Sequence, residues 1–279
     1  METIVFYGAG MLGSGFVRAF RRRGVAVHVW NRTFEKAQAL EACGAVAFRS
    51  AAEAARGATR VHLCLRDDAA VDETFAAARP GIAPKTPIVD HTTVTPRGVL
   101  DRAKRLNDAG YTFLHAPVFM GPPQAEQATG TMLASGPKGD FEALHPSLAP
   151  MTGEVRYLGA RVDLASIFKL MGNAMILAVV GGLNDVFSLA EACGVTREEA
   201  YTLFDFYHPE GQITGRGKRM SQADYEPTWT LEMAHKDATL MLQTANDRSL
   251  PIIAAIESRL RYAIERGFGD QDLAAIAKS

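Results

Sequence analysis

At 279 residues and a net charge of −1, the chain can bury a sizeable core and is expected to form two domains. Hydrophobic residues make up 47% and charged residues 22%, an ordinary globular mix with no basic footprint for nucleic acid or an anionic membrane. The three cysteines (Cys43, Cys64, Cys193) have no paired spacing and the seven histidines form no His-x-x-x-His pair. A disulfide framework and a metal site are therefore not expected, and a reducing cytoplasm is.

Met1-Glu2-Thr3 leads directly into Ile4-Val5-Phe6-Tyr7, so no signal peptide is expected ahead of this first strand. The strand runs into Gly8-Ala9-Gly10-Met11-Leu12-Gly13, which opens a helix. In such a loop the first glycine makes the tight turn and the second lets backbone approach phosphates. The third lets the helix pack on the strand, with its N-terminal amides aimed at a pyrophosphate. The flanking strand and helix are what give the pattern weight. Arg21-Arg22-Arg23 closes the helix and complements its dipole.

Val25–Trp30 reads as the second strand. Its end should face the adenosine ribose, where an NAD site usually carries Asp or Glu. Asn31, Arg32 and Thr33 stand there instead. The missing carboxylate removes repulsion of a 2′-phosphate, and Arg32 offers a planar fork of donors. NADPH is the expected cofactor, with NAD as the alternative; Arg32 as a plain solvated turn residue is the competing explanation.

Further strands are expected at Arg60–Leu65, Pro87–Asp90, Thr112–Ala116 and Thr131–Ser135, with helices at Phe34–Cys43, Ala51–Arg56, Asp67–Ala78 and Pro96–Ala109. The alternation implies an α/β fold, a Rossmann-type doubly wound parallel sheet over residues 1–162. Ligands in such sheets bind beyond the carboxyl ends of the strands, which singles out the residues after Leu65, Asp90 and Ala116.

From Val162 onward only helical periodicity is found, so residues 163–279 are expected to form an all-α domain with a firm interface and a cleft against the first. Leu164–Cys193 reads as one long interdomain helix stopped by Gly194. Thr196 with Glu199 forms a capping box for the next helix, and further helices are expected at Thr228–Asn246 and Pro251–Arg266 before a break at Gly267–Asp270. The apolar run Leu170–Leu183 reads as too short and interrupted to span a bilayer. Its apolar circumference at Ala174–Leu183 predicts instead a homodimer or homotetramer.

Lys169 and Asn173 fall four residues apart, on one face of the long helix. In a cleft, such a lysine can serve as general acid or base and such an asparagine can orient an oxygen. Alternatively Lys169 snorkels from a helix face and Asn173 caps a neighbouring backbone. His91, His115 and His235 lie near these segments and are expected to be hydrogen-bonded bystanders.

Taken in order, these motifs make the chain resemble the β-hydroxyacid dehydrogenase family, which includes 3-hydroxyisobutyrate dehydrogenases and glyoxylate/succinic semialdehyde reductases. The similarity covers nearly the whole chain. It is carried by the glycine loop with Met11, by Leu65-Arg66-Asp67, and by Asp90-His91-Thr92-Thr93-Val94-Thr95-Pro96. Lys169-x-x-x-Asn173, His235-Lys236-Asp237 and Gly267…Asp270-Gln271-Asp272 complete the series.

The resemblance implies hydride transfer between NADPH and a small semialdehyde or keto acid, or the corresponding hydroxy acid. Lys169 would be the general acid/base and Asn173 would hold the reacting oxygen. Gly8, Ala9, Gly10, Met11, Leu12, Asn31, Arg32, Thr33 and Leu65 would bind the cofactor. Thr93 would lie at the nicotinamide and substrate end, and Lys236 near the nicotinamide or its ribose.

The family's substrate loop usually reads Asp-Ala-Pro-Val-Ser-Gly-Gly. Here Phe119 and Met120 replace the Ser and the first Gly of this substrate-binding loop, ahead of Gly121; this removes a hydroxyl donor and hinders close backbone approach. A larger or less acidic substrate is implied. The related imine reductases, which generally carry Asp or Tyr where Lys169 stands, are the runner-up, and a non-catalytic dehydrogenase-like module is the third possibility.

Overall fold

The computed structural model describes residues 2–278. The chain divides into two compact units, Met1–Asn173 and Ala174–Ser279. The last strand ends at Tyr157 and a long helix begins at Leu164; the compact units part inside that helix, after Asn173.

In the first unit β1 (Thr3–Tyr7) leads through the glycine loop to α1 (Met11–Arg22), then β2 (Ala26–Trp30), α2 (Phe34–Gln38) and β3 (Val46–Phe48). There follow α3 (Ala51–Ala55), β4 (Arg60–Leu63), α4 (Asp68–Ala78), β5 (Ile88–Asp90), α5 (Pro96–Asp108) and β6 (Phe113–His115). These six strands form one all-parallel sheet in the order β3-β2-β1-β4-β5-β6. The strand order reverses beside β1, which puts the crevice over the glycine loop.

Side-chain alternation along β1 serves two cores. Ile4 and Phe6 pack with Phe16, Val17 and Phe20 of α1 on one face, whereas Val5 and Tyr7 pack with α3, α4 and α5 on the other. Phe34–Cys43, expected as one helix, is α2 followed by a 3₁₀ turn that ends on Gly44 at φ +85°.

The unit continues with β7 (Val118–Phe119), α6 (Pro122–Gln127), β8 (Thr131–Ala134), α7 (Lys138–Leu148) and β9 (Glu154–Tyr157). These three strands form a separate small sheet, with β7 antiparallel and β9 parallel to β8.

The long helix α8 (Leu164–Ala192) runs 29 residues and ends before Gly194 at φ +76°. Its best 18-residue stretch has a mean hydropathy of 1.8, so by length and composition it is long and apolar enough to cross a membrane. The expectation that this segment is too short was therefore wrong on length. Lys169 and Asn184 flank the apolar run and interrupt the pattern without interrupting the helix.

The second unit adds α9 (Arg197–Tyr201), α10 (Gly211–Thr214), α11 (Arg216–Ser221), α12 (Leu231–Ala245) and α13 (Pro251–Ala263). The capping box is present: the Thr196 hydroxyl accepts from Glu199 N–H, and the Glu199 carboxylate accepts from Thr196 N–H at 2.9 Å. Leu231, Ala234 and Ala238 of α12 pack with Leu260 and Ala263 of α13. Asp185 of α8 accepts from Ile252 and Ile253 N–H at 2.8 and 2.9 Å, capping α13. Asp272 staples the unit by accepting from Thr228, Trp229 and Ala274 N–H and pairing with Arg216 at 3.0 Å. These hydrogen bonds and charges hold its carboxyl far below the usual range.

Candidate active site

Gly8 closes β1 at φ +109°, and a Cβ there would sit 2.1 Å from the Cys64 carbonyl oxygen at the end of β4. A Cβ at Gly13 would sit 2.0 Å from the Gly8 oxygen. The loop is thus pressed onto the sheet and α1 onto the loop, which only glycine permits. Gly10 is the N-cap of α1 and has no side chain to satisfy the first-turn amides. These amides face a cleft of about 650 Å³ bordered by Met11, Arg32, Leu65, Thr93 and Met120. Open first-turn amides on a twelve-residue helix, beside a cleft of ligand size, fit the pyrophosphate of a dinucleotide.

Gly8, Gly10, Met11 and Leu12 line this cleft, as do Asn31, Arg32 and Thr33. Ala9 is buried beneath it, and its N–H donates to Asn31 Oδ1 at 3.1 Å. Asn31 Nδ2 in turn donates to the Thr33 carbonyl at 2.8 Å. Both polar ends of Asn31 are therefore committed to tying the glycine loop to the turn after β2. Arg32 is exposed at the cleft, and Lys36, one turn into α2, joins it there. Lys36 was missed in the sequence, although it falls in the first turn of the expected helix Phe34–Cys43, four residues after Arg32.

Leu65 and Thr93 are held by a chain that begins in the core. Asp90, fully buried at the end of β5, accepts from Thr92 N–H at 2.9 Å, and Thr92 Oγ1 accepts from Leu65 N–H at 3.0 Å. Behind Asp90 lies Arg102 of α5, 2% exposed, with Nη1 at 3.5 Å from Asp90 and bonds to Asp72 and Asp68 at 2.9 and 3.1 Å. Burial pushes the Asp90 carboxyl up to about 6, and Arg102 opposes that rise.

The histidines behave in two ways. Arg60 Nε donates to His62 Nε2 at 2.8 Å, and His62 Nδ1 meets His91 Nε2 at 2.9 Å. His91 Nδ1 meets the Ala116 carbonyl at 2.7 Å. Because Arg60 can only donate, the proton of each neutral ring must sit on Nδ1, and the chain runs in one direction. Burial holds His62 well below its ordinary value and His91 down at about 4. His115 departs from the expectation in its hydrogen bonding alone. Neither ring nitrogen has a hydrogen-bond partner, and Nδ1 lies 3.9 Å from Asp90. Burial keeps it neutral, pushed down to about 3.

Lys169 and Asn173 are half-buried on α8, still within the first unit. Lys169 Nζ stands 4.5 Å from the centroid of the Phe119 ring, and burial lowers its proton affinity below that of an ordinary lysine. Met120 reaches the cleft lining, and Gly121 caps α6, its N–H donating to Gln124 at 2.7 Å. Lys236 belongs to the second unit, where it is exposed on α12 and paired with Asp237 at 2.8 Å. The first unit therefore gathers the glycine loop, Leu65, Thr93, Met120, Phe119 and Lys169 by itself. His235 is hydrogen-bonded, to Glu257 at 2.8 Å.

The pattern of the NAD binding domain of 6-phosphogluconate dehydrogenase matches residues 3–159. The chain belongs to that family, and its class is NAD(P)-dependent oxidoreductase of dehydrogenase/reductase type. Within that class it is a member of the β-hydroxyacid dehydrogenase-like family. It is 26% identical over 284 residues to glyoxylate/succinic semialdehyde reductase 1 of Arabidopsis thaliana, covering 98% of this chain and 96% of that protein. It is 23% identical over 284 residues to the cytokine-like nuclear factor N-PAC of Drosophila melanogaster, covering 99% of this chain. It spans only 47% of that longer protein. The fold is also that of the imine reductase from Myxococcus stipitatus. Its NADP+ complex aligns with a TM-score of 0.91 at 21% identity, covering 99% of each chain. An NAD+ complex of a variant aligns with the same TM-score at 20% identity, covering 100% of this chain and 98% of that one.

Proposed function

We propose that the protein is an NADP-preferring reductase of small carbonyl compounds, semialdehydes or keto acids, with Lys169 as the proton donor. The observation that carries this is the adjacency of Phe119, the end of β7, and Met120, the next residue. Met120 lines the cofactor cleft, and the ring centroid of its neighbour Phe119 lies 4.5 Å from Lys169 Nζ. The titratable lysine thus stands behind the lining rather than in it, one residue removed from the cleft. A bound nicotinamide supplies hydride to the carbonyl carbon. The ammonium of Lys169 gives its proton to the carbonyl oxygen as charge develops there, and in the reverse direction the free amine takes it back. Burial makes that proton easier to release than from a solvated lysine. The Asn173 amide, one turn on, donates to the same oxygen, and Thr93 bounds the substrate end of the cleft.

Oxidation of NADPH against a panel of semialdehydes, 2-oxo acids and cyclic imines tests the substrate class. Turnover of the carbonyl compounds is expected, and turnover of imines alone would replace this proposal by imine reduction. That second function is favoured by one feature, Phe119-Met120, which presents an aromatic ring and a thioether where a carboxylate would want a hydroxyl and open backbone.

Preference for NADPH rests on Arg32 and Lys36 at the cleft, with no carboxylate at the end of β2. Arg32→Ala is expected to weaken NADPH binding about tenfold or more and NADH binding less than twofold, read by fluorescence titration. Equal losses for both cofactors would remove the 2′-phosphate assignment.

The α8 side chains Ile176, Leu177 and Val180 are 55%, 72% and 59% exposed. An apolar surface of this kind fits burial in a homodimer or homotetramer. Sedimentation should find a dimer or larger at micromolar concentration, and a monomer would refute the assembly. A cytoplasmic setting with no nucleic-acid partner suits the three free cysteines and near-neutral charge.

A further inference from the structure

The seat of Lys169 is aromatic. Its Nζ is 4.5 Å from the Phe119 ring centroid, inside the reach of a cation–π contact. The ring in turn lies against α8 at Gly172, where a Cβ would fall 2.3 Å from Cζ and 2.5 Å from Cε1. Lys169 and Gly172 are three residues apart and share a helix face, so the ring rests on the bare backbone at one end and carries the ammonium at the other. Met120, the next residue, lines the cofactor cleft.

No carboxylate among the described residues pairs with Lys169, and burial alone moves its proton affinity. Arg161 and Asp163, just before the helix, pair with each other at 2.7 Å, and β7 carries no charged side chain. Among the described residues, no hydrogen bond or ion pair competes with the ring for the ammonium.

We propose that Phe119 is a positioning residue: its π face holds the Lys169 ammonium beside the cleft, and Gly172 leaves the room that the ring requires. Only the catalytic consequence rests on Lys169 as proton donor; the contact itself does not. The ring favours the charged lysine while its bulk excludes water, two opposite pulls on the same proton. A leucine at 119 keeps the bulk and removes the quadrupole, so the amine should lose its proton more readily.

The test is competitive acetylation of the full chain with acetic anhydride across pH, with the Lys169 peptide followed by mass spectrometry. Phe119→Leu is expected to lower the Lys169 titration by about half a pH unit, and Phe119→Tyr to restore the wild-type value. Thermal melts of both variants establish that each is folded. A Phe119→Leu titration that coincides with the wild type overturns the proposal, as does a Phe119→Tyr titration that follows Phe119→Leu. Turnover that survives Lys169→Ala would instead remove the proton-donor role and leave the titration result standing.

Discussion

Lys169→Ala should lower kcat for carbonyl reduction by about 10²–10⁴-fold, the usual worth of a positioned general acid. Affinity for NADPH should change by less than twofold, because the glycine loop, Arg32 and Leu65 that line the cleft are untouched. The sign of the pH dependence follows from the role. Reduction uses the ammonium, so wild-type kcat is highest at low pH and falls as pH rises through the lysine's proton affinity. Burial places that fall below the range of a solvated lysine. Steady-state rates from pH 6 to 10 check both points. A variant that loses the alkaline fall along with its rate supports the assignment, whereas an unchanged rate ends it.

Arg102→Met should destabilise the first unit by about 3–5 kcal/mol at pH 8, the cost of stranding a buried charge. The melting temperature should drop by about 10 °C. Arg102 faces Asp90, which is fully buried and whose other oxygen holds Thr92. Without the guanidinium, Asp90 rises further above its present value of about 6, well over its unfolded value. The native state then binds the extra proton, so the deficit grows as pH rises through the folded value and shrinks below it. Melts at pH 5 and pH 8 should show the smaller loss at pH 5. Equal losses would mean that Arg102 acts by packing alone. Because Asp90, Thr92 and Leu65 form one chain to the cleft, the variant should also bind NADPH more weakly.

The glycine loop and the long helices were legible because their signals are local. A glycine-rich turn between strand and helix needs no partner to be recognised, and the Thr196–Glu199 box and the Gly194 stop lie within single turns of chain. The strands β3, β7 and β9 were not legible. β3 has three residues and β7 only two, too few for an alternation to show, and β9 alternates between exposed and half-buried positions. Their existence is set by pairing with β2 and β8, which no local window contains.

The site divides the same way. Arg32 could be picked out by its offset from the loop, but the sequence could not show that Asn31 spends both polar ends on backbone. Phe119 stood out as a departure, while its fit against Gly172 joins residues 53 positions apart and needs the folded chain. The Arg60–His62–His91 chain is invisible for that reason too, since His62 and His91 lie on adjacent parallel strands or their ends.

The most direct test follows a labelled hydride. Wild-type protein is incubated with succinic semialdehyde and NADPH carrying deuterium at both C4 positions, and the product is read by mass spectrometry. A reductase of the kind proposed yields the hydroxy acid with one deuterium on the former carbonyl carbon. No hydroxy acid from this or any other semialdehyde or keto acid, or product without deuterium, would contradict it.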